Sequence, residues 1–117
     1  MKIGDIKIYE ITPEALDYYR KNTRGNENKP EGVVVLKLSR NIHLAHKEKR
    51  LTETIYTYGD LRIVTKRGKI VELNNHPSNK PQGWEEDMHE YNRVSKLLGI
   101  KDNKFKKKYK NKLSKKK

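Results

Sequence analysis

Near the end of the chain Trp84, Met88, Tyr91, Val94 and Leu98 recur at three- and four-residue intervals, the period of a helix with one apolar face. Leu97 widens that stripe, and Gly99 stands where a helix stop belongs. Glu85, Glu86 and Asp87 fall in the first turn of such a helix and Lys96 in its last, so the charges oppose the macrodipole. A second, shorter helix is predicted over 12–21. Thr12 can cap it, Pro13 suits a first position whose N–H has no partner, and Glu14 complements the dipole. Its inward residues are Ala15, Leu16 and Tyr19.

Other stretches carry strand signals. Residues 2–11 place Ile6 and Ile8 among polar neighbours and read as a strand, although Ile11 falls on the opposite parity. Residues 33–38 hold three consecutive valines followed by Leu-Lys-Leu and predict a central, mostly buried strand. From Glu53 to Asn74 the pattern is a β-meander, with strands near 53–58, 61–66 and 69–74 joined at Gly59-Asp60 and Arg67-Gly68, where glycine supplies the positive φ of tight hairpins. Two-residue turns pair Ile55 with Val64 and Val64 with Val71 on one face. Tyr56, Tyr58, Leu61 and Ile63 then take the other. Residues 22–32, with Gly25, Pro30 and Gly32, are a loop, and 74–83, with Pro77 and Pro81, a connector. Residues 39–52 show no period and fit strand, loop or short helix alike.

These elements predict an α+β fold: a small antiparallel sheet containing the meander at about 53–74, packed against one or two helices, with the Trp84 helix covering one side. A chain of 117 residues fits one domain. The boundary falls near residue 100, leaving 101–117 as a lysine-rich tail. No internal repeat at solenoid periods is present. Only 32% of residues are hydrophobic against 37% charged, so the core must be small. There is no cysteine, which removes disulfides, thiolate zinc sites and thiol nucleophiles together. The amino end has no apolar leader, and the longest apolar run, 33–36, is far below membrane-spanning length. The chain therefore reads as cytoplasmic, with no membrane insertion.

Charge is unevenly spread. Ten lysines against Asp102 give residues 101–117 a charge of +9 out of the total +13, so the first hundred residues carry +4. Lys104, Lys106, Lys107, Lys108, Lys110 and Lys112, with Lys115 to Lys117 behind them, can neutralise phosphates and release counterions without reading sequence. Phe105, Tyr109 and Leu113 lie at i, i+4 and i+8 and would line one face of a helix that orders only against a partner or the domain. Tyr109, like Phe105, can stack on unpaired bases. The competing reading of the tail is a solvated, solubilising end. A second basic cluster surrounds a meander tip, where Arg62, Lys66, Arg67 and Lys69 alternate with apolar residues beside Tyr56 and Tyr58. A ribbon with a basic tip can enter a groove, and sheet tyrosines can stack bases.

The histidines offer two further chemistries. His43-x-x-His46 has the look of half a metal site, to which Glu86 or Glu90 beside His89 can add oxygens, but that spacing chelates only on a helix or tight turn. A metal-independent ribonuclease would take His43, His46 or His76 as base, Arg50, Arg62 or Lys66 for the developing phosphate charge and Tyr56 as acid. Phosphate-cradling glycine loops, nucleophile elbows and paired glycosidase-type carboxylates are not recognisable in the sequence. The reading that follows is a non-catalytic nucleic-acid-binding accessory protein without cofactor or metal, of the kind a phage or other mobile element encodes. Its rival is an interaction module, an inhibitor or assembly component, whose tail docks on an acidic protein surface. Removal of residues 101–117 is expected to move the thermal midpoint by less than about 4 °C, the equivalent of about 1 kcal/mol in a domain of this size; a larger drop places Phe105, Tyr109 and Leu113 in the core.

Overall fold

The computed structural model describes residues 1–23 and 25–100. The lysine-rich segment 101–117 lies outside them. Three two-residue strands open the chain: β1 (Lys2–Ile3), β2 (Ile6–Lys7) and β3 (Glu10–Ile11). The strand expected over 2–11 is thus broken. β1 and β2 form a hairpin, pairing Ile3 with Ile6, and β3 leaves to join the main sheet. The hairpin bends at Gly4, which has φ +60° and lies so close to the Leu97 side chain that a Cβ would sit 3.0 Å from Leu97 Cδ2.

Two helices follow. α1 (Pro13–Asn22) is capped by Thr12, whose hydroxyl accepts from the Ala15 N–H, and it buries Ala15, Leu16 and Tyr19, as its sequence requires. α2 (Glu31–Leu44) corrects the expectation of a central strand at 33–38 and resolves much of the unassigned stretch after it. The valine run favours a strand locally, but Val34, Leu38 and Ile42 recur at four-residue steps and all three are buried. They face the sheet with Ile63, Ile70 and Leu73, while Leu36 packs on the opposite side with Ile6, Val94 and Leu98. A helix buried between two partners is apolar nearly all round, and over a short window that looks like a buried strand.

The main sheet has five strands in the order β3-β7-β6-β5-β4, formed by β4 (His46–Lys49), β5 (Thr54–Tyr58), β6 (Leu61–Lys66), β7 (Lys69–Asn75) and β3. It is antiparallel from β4 to β7, and β3 adds a parallel edge by pairing Glu10 with Lys69 and Ile11 with Ile70. The meander is present as expected, with Ile55 opposite Val64 and Tyr56 opposite Ile63. The pairing of Val64 with Val71 is not formed. Arg67 (φ 50°) and Gly68 (φ 78°) make the tight turn, and Lys66 meets Lys69, but a bulge after Val64 puts Glu72 opposite it and Leu73 opposite Ile63. Without that extra residue Glu72 would face the helices and Leu73 the other side. The bulge therefore serves the core.

α3 (Met88–Leu97) begins later than its apolar stripe indicates, because Asp87 caps it by accepting from the Glu90 N–H. Trp84 stands outside the helix, half-buried, with its ring edge-on to Tyr58 at 5.5 Å. Glu85 and Glu86 are outside the helix as well, and Glu86 instead accepts a hydrogen bond from the Tyr58 hydroxyl. α3 buries Tyr91, Val94 and Ser95 and packs on α2, so the sheet is covered mainly by α1 and α2, and the Trp84 segment reaches it only at Tyr58. Among the described residues no helix is long and apolar enough to cross a membrane.

Between α2 and α3 lies the guanidinium of Arg40, only 3% exposed. It donates to Asn41 Oδ1 and Ser95 Oγ, each at 3.1 Å, and sits 4.1 Å above the centre of the Tyr91 ring. Replacing Arg40→Ala is expected to destabilise the fold by about 2–5 kcal/mol, through the cavity and the buried polar groups left without a donor. Urea midpoints of the two proteins measure it; a difference below about 0.5 kcal/mol, the usual effect of a surface change, would contradict this account.

Candidate nucleic-acid interface

The strand pairing sets which side chains share a face. Lys47 lies opposite Tyr56, and Lys49 opposite Thr54, which in turn lies opposite Thr65. All are on the side that the helices cover. The helices stop short of the end of the sheet nearest the β4–β5 and β6–β7 turns, and an open groove remains there. It is lined by Lys49, Arg50 and Leu51 from one turn, by Lys66 and Arg67 from the other, and by Lys7, Tyr9, Tyr56, Thr54 and Thr65. A second compartment shares Lys7, Tyr9 and Tyr56 and runs on past Lys2, Lys47 and His43. The two hold about 270 and 390 Å³, around the low end of small-ligand clefts, roughly 300–1,000 Å³. Each is large enough for one planar group, not for a helix.

The tyrosines are fixed from several directions. The Tyr9 N–H donates to Ser39 Oγ of α2 at 3.0 Å, its hydroxyl donates to that of Tyr56 at 3.3 Å, and the two rings meet edge to face at 6.1 Å. The Lys7 ammonium lies 5.0 Å from the centre of the Tyr9 ring, within cation–π range. Burial, and then the bond to Tyr56, push the Tyr9 hydroxyl above its ordinary value of 10. It therefore stays neutral and adds no negative charge to the groove. Thr65 Oγ1 donates to the Thr54 carbonyl at 3.1 Å, which leaves this part of the floor polar but satisfied. Of the five cations in the first compartment's lining Arg50 is already paired, its Nε donating to Glu48 Oε2 at 2.6 Å, and the lining holds one carboxylate, Glu53.

The residues expected from sequence divide. Tyr56, Lys66 and Arg67 come together in the groove. Lys69 is exposed at the start of β7, beyond the lining and opposite Glu10. Arg62 is on the other face of the sheet, opposite Thr57, in a shallow cleft with Glu48, Ile55, Ser78 and Asn79. Lys104, Lys106, Lys107, Lys108, Tyr109, Lys110 and Lys112 lie outside the described residues. Sequence reasoning missed Lys7, Tyr9, Lys49 and Leu51. The i, i+2 spacing of Lys7 and Tyr9 was a usable signal. Lys49 and Leu51 both lie in the stretch 39–52, which has no periodicity.

The histidines do not converge. His46 pairs with Thr57 on the Arg62 side, the His76 ring caps the short turn Pro77–Asn79 through Ser78, and His89 is exposed on α3. His43 reaches the second compartment, where its Nε2 lies 2.6 Å from Glu90 Oε2. Asp5, His43 and Glu90 bring their ligand-type atoms within 4.8 Å of one another, but the Arg93 guanidinium already bridges the two carboxylates. It donates to Asp5 at 2.8 and 3.2 Å and to Glu90 at 2.8 Å twice. This set is a strap joining the β1–β2 hairpin to α3 and α2.

The fold and groove define a small α+β domain with a basic, tyrosine-floored cleft at one end of a mixed sheet. Comparison with known proteins places it further: a family model described as YorE matches residues 9–97, and the chain belongs to the YorE family. It is 33% identical over 111 residues to the SPbeta prophage-derived uncharacterized protein YorE of Bacillus subtilis (strain 168), across 87% of this chain and 90% of that one. A prophage-derived relative agrees with the phage-like origin expected from sequence. No solved structure matches the chain.

The strap titrates in acid. The hydrogen bonds from Arg93, and then that from His43, hold the Glu90 carboxyl at about 2, below its ordinary 4.5, and Arg93 lowers Asp5 as well. A depressed folded-state value means that the stabilisation is complete above the unfolded value and is lost as the pH falls through the folded one. Glu90→Gln is therefore expected to lower the urea midpoint at pH 7, and the gap to the parent protein should close between pH 4.5 and about 2. A gap that stayed constant over that range would show that Glu90 acts by packing alone.

Proposed function

We propose that this protein binds nucleic acid without cleaving it, gripping the phosphate backbone in the groove between the β4–β5 and β6–β7 turns. The observation that carries the reading is the convergence of Lys7, Lys49, Lys66 and Arg67, from three separate parts of the chain, around two tyrosines. Like charges gathered in one cleft repel one another and weaken the fold, and a polyanion relieves that repulsion while releasing its counterions. The tail, with +9 in seventeen residues, supplies a second, sequence-independent grip of the same kind. A non-catalytic role is supported by the histidines: His46 and His76 stand away from the cleft, and the Nε2 of His43 is engaged by Glu90.

The test is titration of the full chain with a labelled oligonucleotide at several salt concentrations. Charge reversal at Lys49→Glu with Lys66→Glu is expected to lower affinity at least tenfold at low salt and to flatten the slope of log K against log salt by about 1.4, two lost contacts at about 0.7 each. Arg62→Glu, on the other face, should have the smaller effect. Binding that disappears with the tail and ignores the groove variants would assign the function to the tail alone. Cleavage of the oligonucleotide abolished by His43→Ala would replace binding with ribonuclease chemistry.

A further inference from the structure

We infer, resting on the groove being a nucleic-acid interface, that its ligand is single-stranded, with an unpaired base seated against Tyr56 and Leu51 and the flanking phosphates on Lys49, Lys66 and Arg67. Three observations lead there. The first is width. Lys49, Thr54 and Thr65 stand in one row across β4, β5 and β6, so Lys49 is about two strand spacings, ~10 Å, from the strand end that leads into the Arg67 turn. That gap takes one strand with its backbone against a wall, and a duplex can only rest on the rim.

The second is the recessed floor. Tyr56 is half-buried and Tyr9 almost wholly so, beneath cations carried on projecting turns. A paired base keeps its faces inside the stack and offers edges, which do not reach a ring at the bottom of a cleft. An unpaired base has a free face to lay on it. The third is Leu51, which is 100% exposed although it lines the same groove as Tyr56. It sits between Arg50 and Thr52 in a tight turn closed by the Arg50 N–H donating to the Glu53 carbonyl at 2.8 Å. There it makes an apolar rim that a base covers.

The experiment compares, by fluorescence anisotropy at physiological salt, the full chain with a labelled 12-nucleotide single strand and with the same sequence in a duplex. Single-stranded DNA and RNA are both used, and either satisfies the inference. At least tenfold tighter binding of the single strand is expected. Tyr56→Leu, which keeps apolar bulk over the core but removes the ring, should lower single-strand affinity by roughly five- to a hundredfold, the measured worth of one stacked base, with duplex affinity unchanged. Tyr56→Phe should bind like the parent protein. Leu51→Ala tests the same point at a side chain that supports nothing in the fold, and a loss of at least twofold for the single strand is expected. Equal affinity for duplex and single strand, or single-strand binding indifferent to Leu51→Ala and Tyr56→Leu, overturns the inference. The groove reading survives those outcomes as long as Lys49→Glu with Lys66→Glu still weakens binding, and fails separately when it does not.

Discussion

A guanidinium cannot shed its charge inside a protein, so the burial of Arg40 obliges the surrounding chain to meet it with hydrogen bonds and a ring face. Asn41 on its own helix supplies one acceptor, and Ser95 and Tyr91 on α3 supply the rest of the contacts described above. α3 is thereby held to one position on α2. From that position Leu97 presses on Gly4 and Arg93 grips Asp5, while Val94 and Leu98 enclose Ile6. The β1–β2 hairpin is fastened in consequence, and with it Lys7 and Tyr9, the upper wall and part of the floor of the groove. The groove depends on a buried charge some distance from it.

The groove is built from elements distant in sequence because a mixed sheet brings them together. β3 runs parallel to β7, and its first N–H group donates to the Gly68 carbonyl at 3.1 Å, which sets the N-terminal segment beside the Arg67-Gly68 turn. The β4–β5 hairpin lengthens the sheet at its other side and carries Lys49 and Arg50 outward on an exposed edge. Lysines on such an edge also discourage pairing with another chain. Guarding the edge and the proposed phosphate grip require the same placement, and the proposal adds a convergence on tyrosine that edge protection does not need.

The sequence by itself determined the elements whose signals are local. The cap and proline at Thr12 and Pro13 set the start of α1. The glycines at 59 and 68 set the meander, and Gly99 the end of α3. It also determined the charge of the tail and the presence of Tyr56, Lys66 and Arg67 around one hairpin, because strand alternation and turn length decide which side chains share a face over a few residues. The α2 segment could not be read this way. Its valines have strand propensity, and its helical state follows from burial on two sides at once, by the sheet and by α3, which is a property of the assembled core.

Tertiary structure alone decided the bulge at Val64, since the extra residue is demanded by the need to bury Leu73 and expose Glu72 against helices that the meander sequence does not contain. It also moved Arg62 away from the basic cluster and brought Lys7, Tyr9, Lys49 and Leu51 into it. Those residues come from segments forty or more positions apart, and their meeting depends on the parallel β3–β7 pairing and on the docking of α3. Pairing between distant segments is fixed by the total apolar surface that the whole chain can bury, and no local pattern in this sequence carries that quantity.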